Sequence, residues 1–191
     1  MYPVKPSAQD LRRRLRGADP RGRAGSARAA GFEEAAERHL DDVHAFLVYL
    51  TGDRNVAEDL TAETFARALE RWRRFDPRRG SARTWLCQLA RSTALDHFRA
   101  EERRRRREGR WALDTAEIGE SVYGDGLSPE LERALSRLSA AEREVVALRI
   151  VLELDGESAA RVLGISATAC STRLSRALQK LEKEVGADVA A

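Results

Sequence analysis

Glu58, Asp59 and Glu63 stand close together in the chain, and carboxylates so spaced could gather a divalent cation for phosphodiester hydrolysis. That chemistry needs further ligands. His39, His44 and His97 have neither the i, i+4 spacing nor the cysteine or acidic company of a zinc set. Cys87 and Cys170 are far apart, form no CxxC pair, and read as small buried fillers. No Gly-rich phosphate loop and no nucleophile elbow occurs. The three acids therefore read as a docking surface. The expectation is no enzyme, no metal and no cofactor.

A second constellation lies in ESAARVLGISATACSTRLSRALQKL. Ala160 falls four residues before Gly164, where a small side chain lets two helices cross closely and glycine permits a tight turn. Ser166 can cap the following helix, with Ala169, Cys170, Leu174, Ala177 and Leu181 expected inward. Its other face, opening at Thr168, presents Ser171, Thr172, Arg173, Ser175, Arg176 and Lys180. Hydroxyls suit phosphates, and arginine can bind guanine in bidentate fashion. The segment is a candidate helix-turn-helix, its rival an ordinary three-helix bundle with a polar surface.

The elements that would hold these residues are helices. The 191 residues suffice for one ordinary domain or two small ones, and the chain is 42% hydrophobic and 34% charged with five prolines. Val43, Phe46, Leu47 and Leu50 form one stripe, and Asn55 with Glu58 suggests a cap for the next helix. In that helix Ala57, Leu60, Thr64, Phe65, Ala68, Leu69 and Trp72 share a face. Phe75–Ser81 is a loop around Pro77 and Gly80, and Ser81 can cap a third helix. Trp85, Leu86, Leu89, Ala90, Thr93, Ala94 and Phe98 are its expected core stripe, with Arg83, Gln88, Arg91, Ser92, Asp96 and Arg99 outward. Ser128-Pro129 and Ser139 with Glu142 open two further helices.

The resulting fold class is all-α, two small helical domains joined by a flexible linker, the second with the helix-turn-helix. The expected bounds are a basic, disordered extension over 1–30, a first domain over 31–107, a linker over 108–127 and a second domain over 128–187. A linker of that length is expected to leave the separation of the domains variable. No apolar run approaches the roughly 20 residues of a membrane span, and no secretory signal is read, so membrane insertion is excluded and a cytoplasmic protein is expected.

The net charge of +3 conceals a polarity. Residues 1–30 carry eight basic residues against two acids, 33–63 nine acids against two arginines, and 67–99 nine arginines against three acids. An acidic half followed by a basic half suggests two different partners, one of them a polyanion.

AEDLTAETFARALERW, followed by RTWLCQLARSTALDHFR, resembles the first domain of the extracytoplasmic-function (ECF) alternative sigma factors of bacterial RNA polymerase. Ala57, Glu58, Asp59, Leu60, Glu63, Thr64, Phe65, Trp85, Leu86, Ala90, Asp96 and Arg99 match that pattern. Arg173, Leu174, Arg176 and Ala177 match its helix-turn-helix. The resemblance covers about 32–107 and 128–185. Departures are Thr61-Ala62 for Val-Gln, Ser92 for Asn, the segment Glu153–Ala160, and Cys170 for Val.

The resemblance implies a factor that binds core RNA polymerase and directs promoter recognition, DNA melting and initiation. It implies polymerase contacts at Glu58, Asp59, Glu63 and Glu70. Minus-ten contacts would fall to Arg78, Arg79, Ser81, Arg83, Gln88, Arg91, Ser92, Asp96 and Arg99, with Trp72, Phe75, Trp85 and Phe98 nearby, mostly as core. The minus-thirty-five element would be read by Thr168, Ser171, Thr172, Arg173, Ser175, Arg176 and Lys180. Implied partners are the core polymerase, promoter DNA and an anti-sigma factor. The alternatives are a free-standing helix-turn-helix repressor and a degenerate sigma-like interaction protein.

Overall fold

A computed structural model describes residues 23–108, 123 and 127–189, with side chains over 31–107, 123 and 127–186. Residues 1–22 of the basic extension, and most of the linker with its acids Asp114, Glu117, Glu120 and Asp125, lie outside the described residues. Every described element is helical: α1 (Arg23–Thr51), α2 (Arg54–Arg71), a 3-10 turn (Trp72–Arg74), α3 (Ala82–Glu108), α4 (Pro129–Ser136), α5 (Ala140–Val146) running into a π turn (Ala147–Val151), α6 (Gly156–Leu163) and α7 (Ala167–Val189).

α1 begins at Arg23, so the end of the segment expected to be disordered is helical. Phe32, Ala36, Leu40, Val43, Phe46, Leu47 and Leu50 are buried at spacings of three and four, the stripe that holds a long helix against its neighbours. Gly52, at φ 65°, ends the helix in the left-handed region, and its N–H donates to the Val48 carbonyl. The cap of α2 is Asp53, not Asn55. Asp53 is extended, and its carboxylate accepts from the Asn55 and Val56 N–H groups at 2.8 and 3.1 Å. An acid immediately before the first turn meets both the free N–H groups and the positive end of the helix.

α2 buries Ala57, Leu60, Thr61, Thr64, Phe65 and Ala68. The Thr61 and Thr64 hydroxyls donate to the Ala57 and Leu60 carbonyls, each at 2.7 Å, which satisfies two polar groups inside the core. Leu69, expected on the core face, is 55% exposed, and Phe98 at the end of the α3 stripe is 37% exposed. Phe32, Trp72, Phe75 and Trp85 form one aromatic cluster, with Trp72 stacked on Phe75 at 4.8 Å and edge-on to Trp85 at 5.7 Å. α3 continues through the arginine run to Glu108 as regular helix. Arg104–Glu101 and Arg106–Glu102 pairs lie along it.

The second unit follows its caps closely. Ser128 with Pro129 opens α4, and Ser139 with Glu142 closes a reciprocal capping box on α5. At the end of α5 the Leu152 N–H reaches the Ala147 carbonyl, a five-residue spacing that widens the turn and leaves Ile150 and Val151 exposed. Asp155 caps α6, and Gly164 (φ 67°, ψ 34°) ends it.

The two units share one continuous buried core, with α3 packed on α6 and α1 on α5 and the π turn. The sequence leads to an expectation of variable separation; in this structure the two units are packed together, and most of the linker between them lies outside the described residues. Contacts from the first unit reach Glu144, Arg161 and Tyr123 of the second half. No helix among the described residues is long and apolar enough to cross a membrane.

Candidate nucleic-acid interface

The α2–α3 loop is built by local bonds. Asp76 accepts from the Arg78 N–H at 3.0 Å, and the Ser81 hydroxyl accepts from the Thr84 N–H at 3.1 Å to start α3. The loop and the first turns of α3 enclose a cavity of about 530 Å³, within the roughly 300–1,000 Å³ of small-ligand pockets. Phe75 and Trp85 supply apolar walls. Arg74, Asp76, Arg79, Ser81, Thr84 and Gln88 supply polar ones, and Arg161 of α6 lines it from the second unit. A flat heterocycle beside a phosphate is what such a mixture of aromatic faces and guanidinium groups can bind.

Arg78, Arg79, Ser81, Ser92, Asp96 and Arg99 are exposed there. Three other expected DNA-facing residues are already engaged. Arg83 makes a two-point ion pair with Asp42 of α1 at 2.8 and 2.9 Å. Gln88 donates to the Arg161 carbonyl at 3.1 Å, and Arg91 holds both carboxylate oxygens of Glu144 at 3.0 and 3.3 Å. Trp72, Phe75 and Trp85 are half-buried in the aromatic cluster.

On α2 the acids Glu58, Asp59, Glu63 and Glu70 are all exposed. Glu63 pairs with Arg67 at 2.6 Å, and Arg67 also reaches Asp96 at 3.1 Å. The Asp96 hydrogen bond raises the Arg67 pKa, with Glu63 adding to it. Arg67 thus bridges the acidic face and the α3 face. Among the described residues no group of three His, Cys, Asp or Glu side chains is placed to hold a metal. Burial pushes the Cys87 thiol up to about 12, and burial likewise raises Cys170, so both are neutral and unreactive near pH 7.

In the helix-turn-helix, Ser166 accepts from the Ala169 N–H at 3.1 Å and starts α7. Thr168, Ser171, Thr172, Ser175 and Arg176 are exposed and Arg173 is half-buried, while Ala169 faces outward rather than into the core. A second cavity of about 530 Å³ lies between the starts of α5 and α7, beside Ser139, Thr168, Thr172, Arg173 and Arg176. Lys180 stands apart from the others. It donates to the Arg137 carbonyl at 2.8 Å and pairs with Glu142 at 3.4 Å, inside its own unit.

Sequence reasoning missed Arg67, Arg74, Glu144 and Arg161. Arg67 was legible as Glu63 plus four. Glu144 and Arg161 were not, because they meet α3 across more than fifty residues of chain.

One unit with an acidic face and a basic, aromatic-walled cleft, joined to a helix-turn-helix unit, defines a DNA-reading transcription protein. The sigma-70 region 2 model matches residues 35–104, and the sigma-70 region 4 model matches 128–181. SigC of Mycobacterium tuberculosis, an ECF RNA polymerase sigma factor, is 36% identical over 142 residues, covering 73% of this chain and 75% of that protein. BldN of Streptomyces coelicolor, also an ECF sigma factor, is 32% identical over 165 residues, and the match spans 84% of this chain but 62% of BldN. The chain belongs to the ECF RNA polymerase sigma factors, which are not enzymes and which direct transcription from particular promoters. Its fold is similar to that of the sigma factor RpoE in complex with the anti-sigma factor NepR from Bartonella quintana (TM-score 0.72, 24% identity, 83% of this chain and 98% of that one). CnrH in complex with the cytosolic domain of CnrY is also similar (TM-score 0.61, 23% identity, 93% and 96%). A free-standing repressor is not favoured, since region 2 is matched along with region 4.

Proposed function

We propose that the chain acts in the cytoplasm as a non-catalytic specificity subunit with its contacts divided among three faces. Glu58, Asp59, Glu63 and Glu70 of α2 dock on the core polymerase. The α2–α3 loop and α3 take the opened minus-ten strand, with Arg78, Arg79, Arg83, Arg91 and Arg99 neutralising phosphates and Ser81, Gln88, Ser92 and Asp96 contacting bases. A base turned out of the stack enters the cavity against Phe75 and Trp85. α7 lies in the major groove of the minus-thirty-five element, where Arg176 reads a base edge and Thr168, Ser171, Thr172, Arg173 and Ser175 set the register.

The observation that carries this reading is the cavity itself. Its aromatic walls are Phe75 of the loop and Trp85 of α3, and Arg74 and Arg79 come from the turn and loop just before α3, on the unit whose α2 bears the exposed acids. An anti-sigma factor is a further proposed partner, since RpoE and CnrH are each complexed in those structures, RpoE with an anti-sigma factor. The test is a charge reversal. Asp59→Lys with Glu63→Lys should abolish binding to core polymerase while leaving the helical circular dichroism intact. Association of the double variant at wild-type affinity would overturn the docking assignment.

A further inference from the structure

The far end of α3 carries the densest charge among the described residues and has no part in the contacts assigned above. Ala94 is the last buried residue of the helix, which runs on to Glu108, about 21 Å further at 1.5 Å per residue. Six arginines stand against Glu101 and Glu102 over 99–107, and residues 102–107 are all exposed. The Arg104–Glu101 and Arg106–Glu102 pairs use up both acids. Arg103 and Arg107 make no ion pair among the described residues, and Arg99 reaches Asp96 at 3.6 Å. At 3.6 residues per turn, Ser92, Asp96, Arg99, Arg103 and Arg107 fall within an arc of about 80°. That arc is opposite buried Ala90 and Ala94. The face assigned to the minus-ten strand therefore continues past the core as a stripe of guanidinium groups. Arg107 also lies beyond the sigma-70 region 2 match, which ends at 104.

We propose that this end of α3 is a phosphate-binding rod for double-stranded DNA, the paired segment that continues from the opened minus-ten strand. Arginines on the stripe rise about 6 Å at each step, and phosphates of one strand rise about 3.4 Å each along a duplex. A helix laid along the strand thus offers a guanidinium to about every second phosphate. Opened strands are held by aromatic side chains that stack on their bases, and base edges are met by amides and hydroxyls as well as by arginine. Residues 99–108 contain no aromatic, amide or hydroxyl side chain. The rod therefore neutralises backbone and fixes position without reading sequence. The inference rests on the assignment of the α3 face to the minus-ten strand.

Fluorescence anisotropy with the full chain tests this on three random-sequence probes: a duplex, a single strand of equal length, and a fork whose duplex arm continues into a single strand. Arg103→Gln with Arg107→Gln keeps good helix formers at both positions, so helical circular dichroism should be unchanged. On the duplex, the double variant should lower the slope of log affinity against log salt by about two. A roughly fourfold rise in salt should then cost it about tenfold less affinity than it costs the wild type. The variant should also lose most of what the fork gains over the single strand. Arg104→Gln with Arg105→Gln removes the same charge from other sides of the helix and should change neither quantity. An unchanged duplex slope in the first variant overturns the proposal. An equal effect of the second variant does so too, since net charge would then suffice. If the first variant loses single-strand affinity as steeply as duplex affinity, the rod serves the opened strand and the duplex assignment falls. DNA binding unmoved while binding of polyglutamate is lost would make an acidic protein the occupant, and overturn it likewise. Arg79→Gln decides the underlying reading separately: intact single-strand binding in that variant would remove Arg79 from the minus-ten contacts whatever the duplex arm shows.

Discussion

Replacing Lys180 with alanine separates a DNA contact from a structural clamp. By position Lys180 belongs with the recognition face, where a lysine on a phosphate would lower the slope of affinity against salt by about one. In the structure its ammonium group is already occupied. It donates to the Arg137 carbonyl at the end of α4 and pairs with Glu142 in the first turn of α5, so it ties α7 to both. The ion pair has side-chain exposures of 39% and 21% and is screened accordingly, contributing about 0.5 kcal/mol. The charge-assisted bond to the carbonyl, partly solvated, adds about 1 kcal/mol. Lys180→Ala should therefore destabilise the chain by about 1–1.5 kcal/mol, which for a protein of this size lowers Tm by roughly 3–5 °C. The Arg137–Glu184 pair still joins α4 to α7, so the unit should remain folded. Thermal melting followed by circular dichroism reads the first quantity, and DNA binding titrated from low to high salt reads the second. An unchanged Tm together with a salt slope lowered by about one would refute the clamp.

Arg176→Ala, at an exposed position on the same helix, should instead leave Tm unchanged, cost about 1–3 kcal/mol of promoter binding and relax preference at one upstream position, as read by affinity across a set of point-substituted duplexes. Gly164→Ala should destabilise the second unit by about 1–2 kcal/mol in denaturant titration, because φ 67° is strained for alanine although nothing lies within 4 Å of the added carbon. Glu142 is held below its ordinary 4.5, first by the Ser139 hydroxyl and N–H and then by Lys180. A carboxyl with a lowered folded pKa stabilises the fold above its unfolded value and loses that contribution as pH falls through the folded one. Glu142→Gln should thus cost stability at neutral pH and cost progressively less below pH 4.5, measured by melting at several pH values. Cys87 should resist maleimide in the native state and react on unfolding, since its thiol is buried and pushed up to about 12.

Local order could be read from single residues. Ser128-Pro129, the Ser139–Glu142 box, Gly164 and Ser166 each act on N–H or C=O groups within four residues, so their chemistry alone set the ends of α4, α5, α6 and α7. The periodic burial of α1 and of most of α2 and α3 followed for the same reason, because a helical repeat fixes which positions share a face. The alternation of acidic and basic stretches, with two matched motifs in order, sufficed to reach the family. The α2 cap was missed by two residues because Asp53 and Asn55 offer similar acceptors, and only the backbone path decides which one sits at the turn.

Tertiary packing decided the rest. Whether Leu69 and Phe98 are covered depends on where neighbouring helices end, and both are left in solvent. Lys180 shares its helical face with Arg176, but the carbonyl that captures it belongs to α4, more than forty residues earlier. Arg91 and Gln88 are outward-facing by period, and they meet Glu144 and the Arg161 carbonyl because the second unit folds back onto α3. Periodicity states which way a side chain points from its own helix. What stands opposite depends on contacts distant in sequence, which apolar burial over a whole shared core selects.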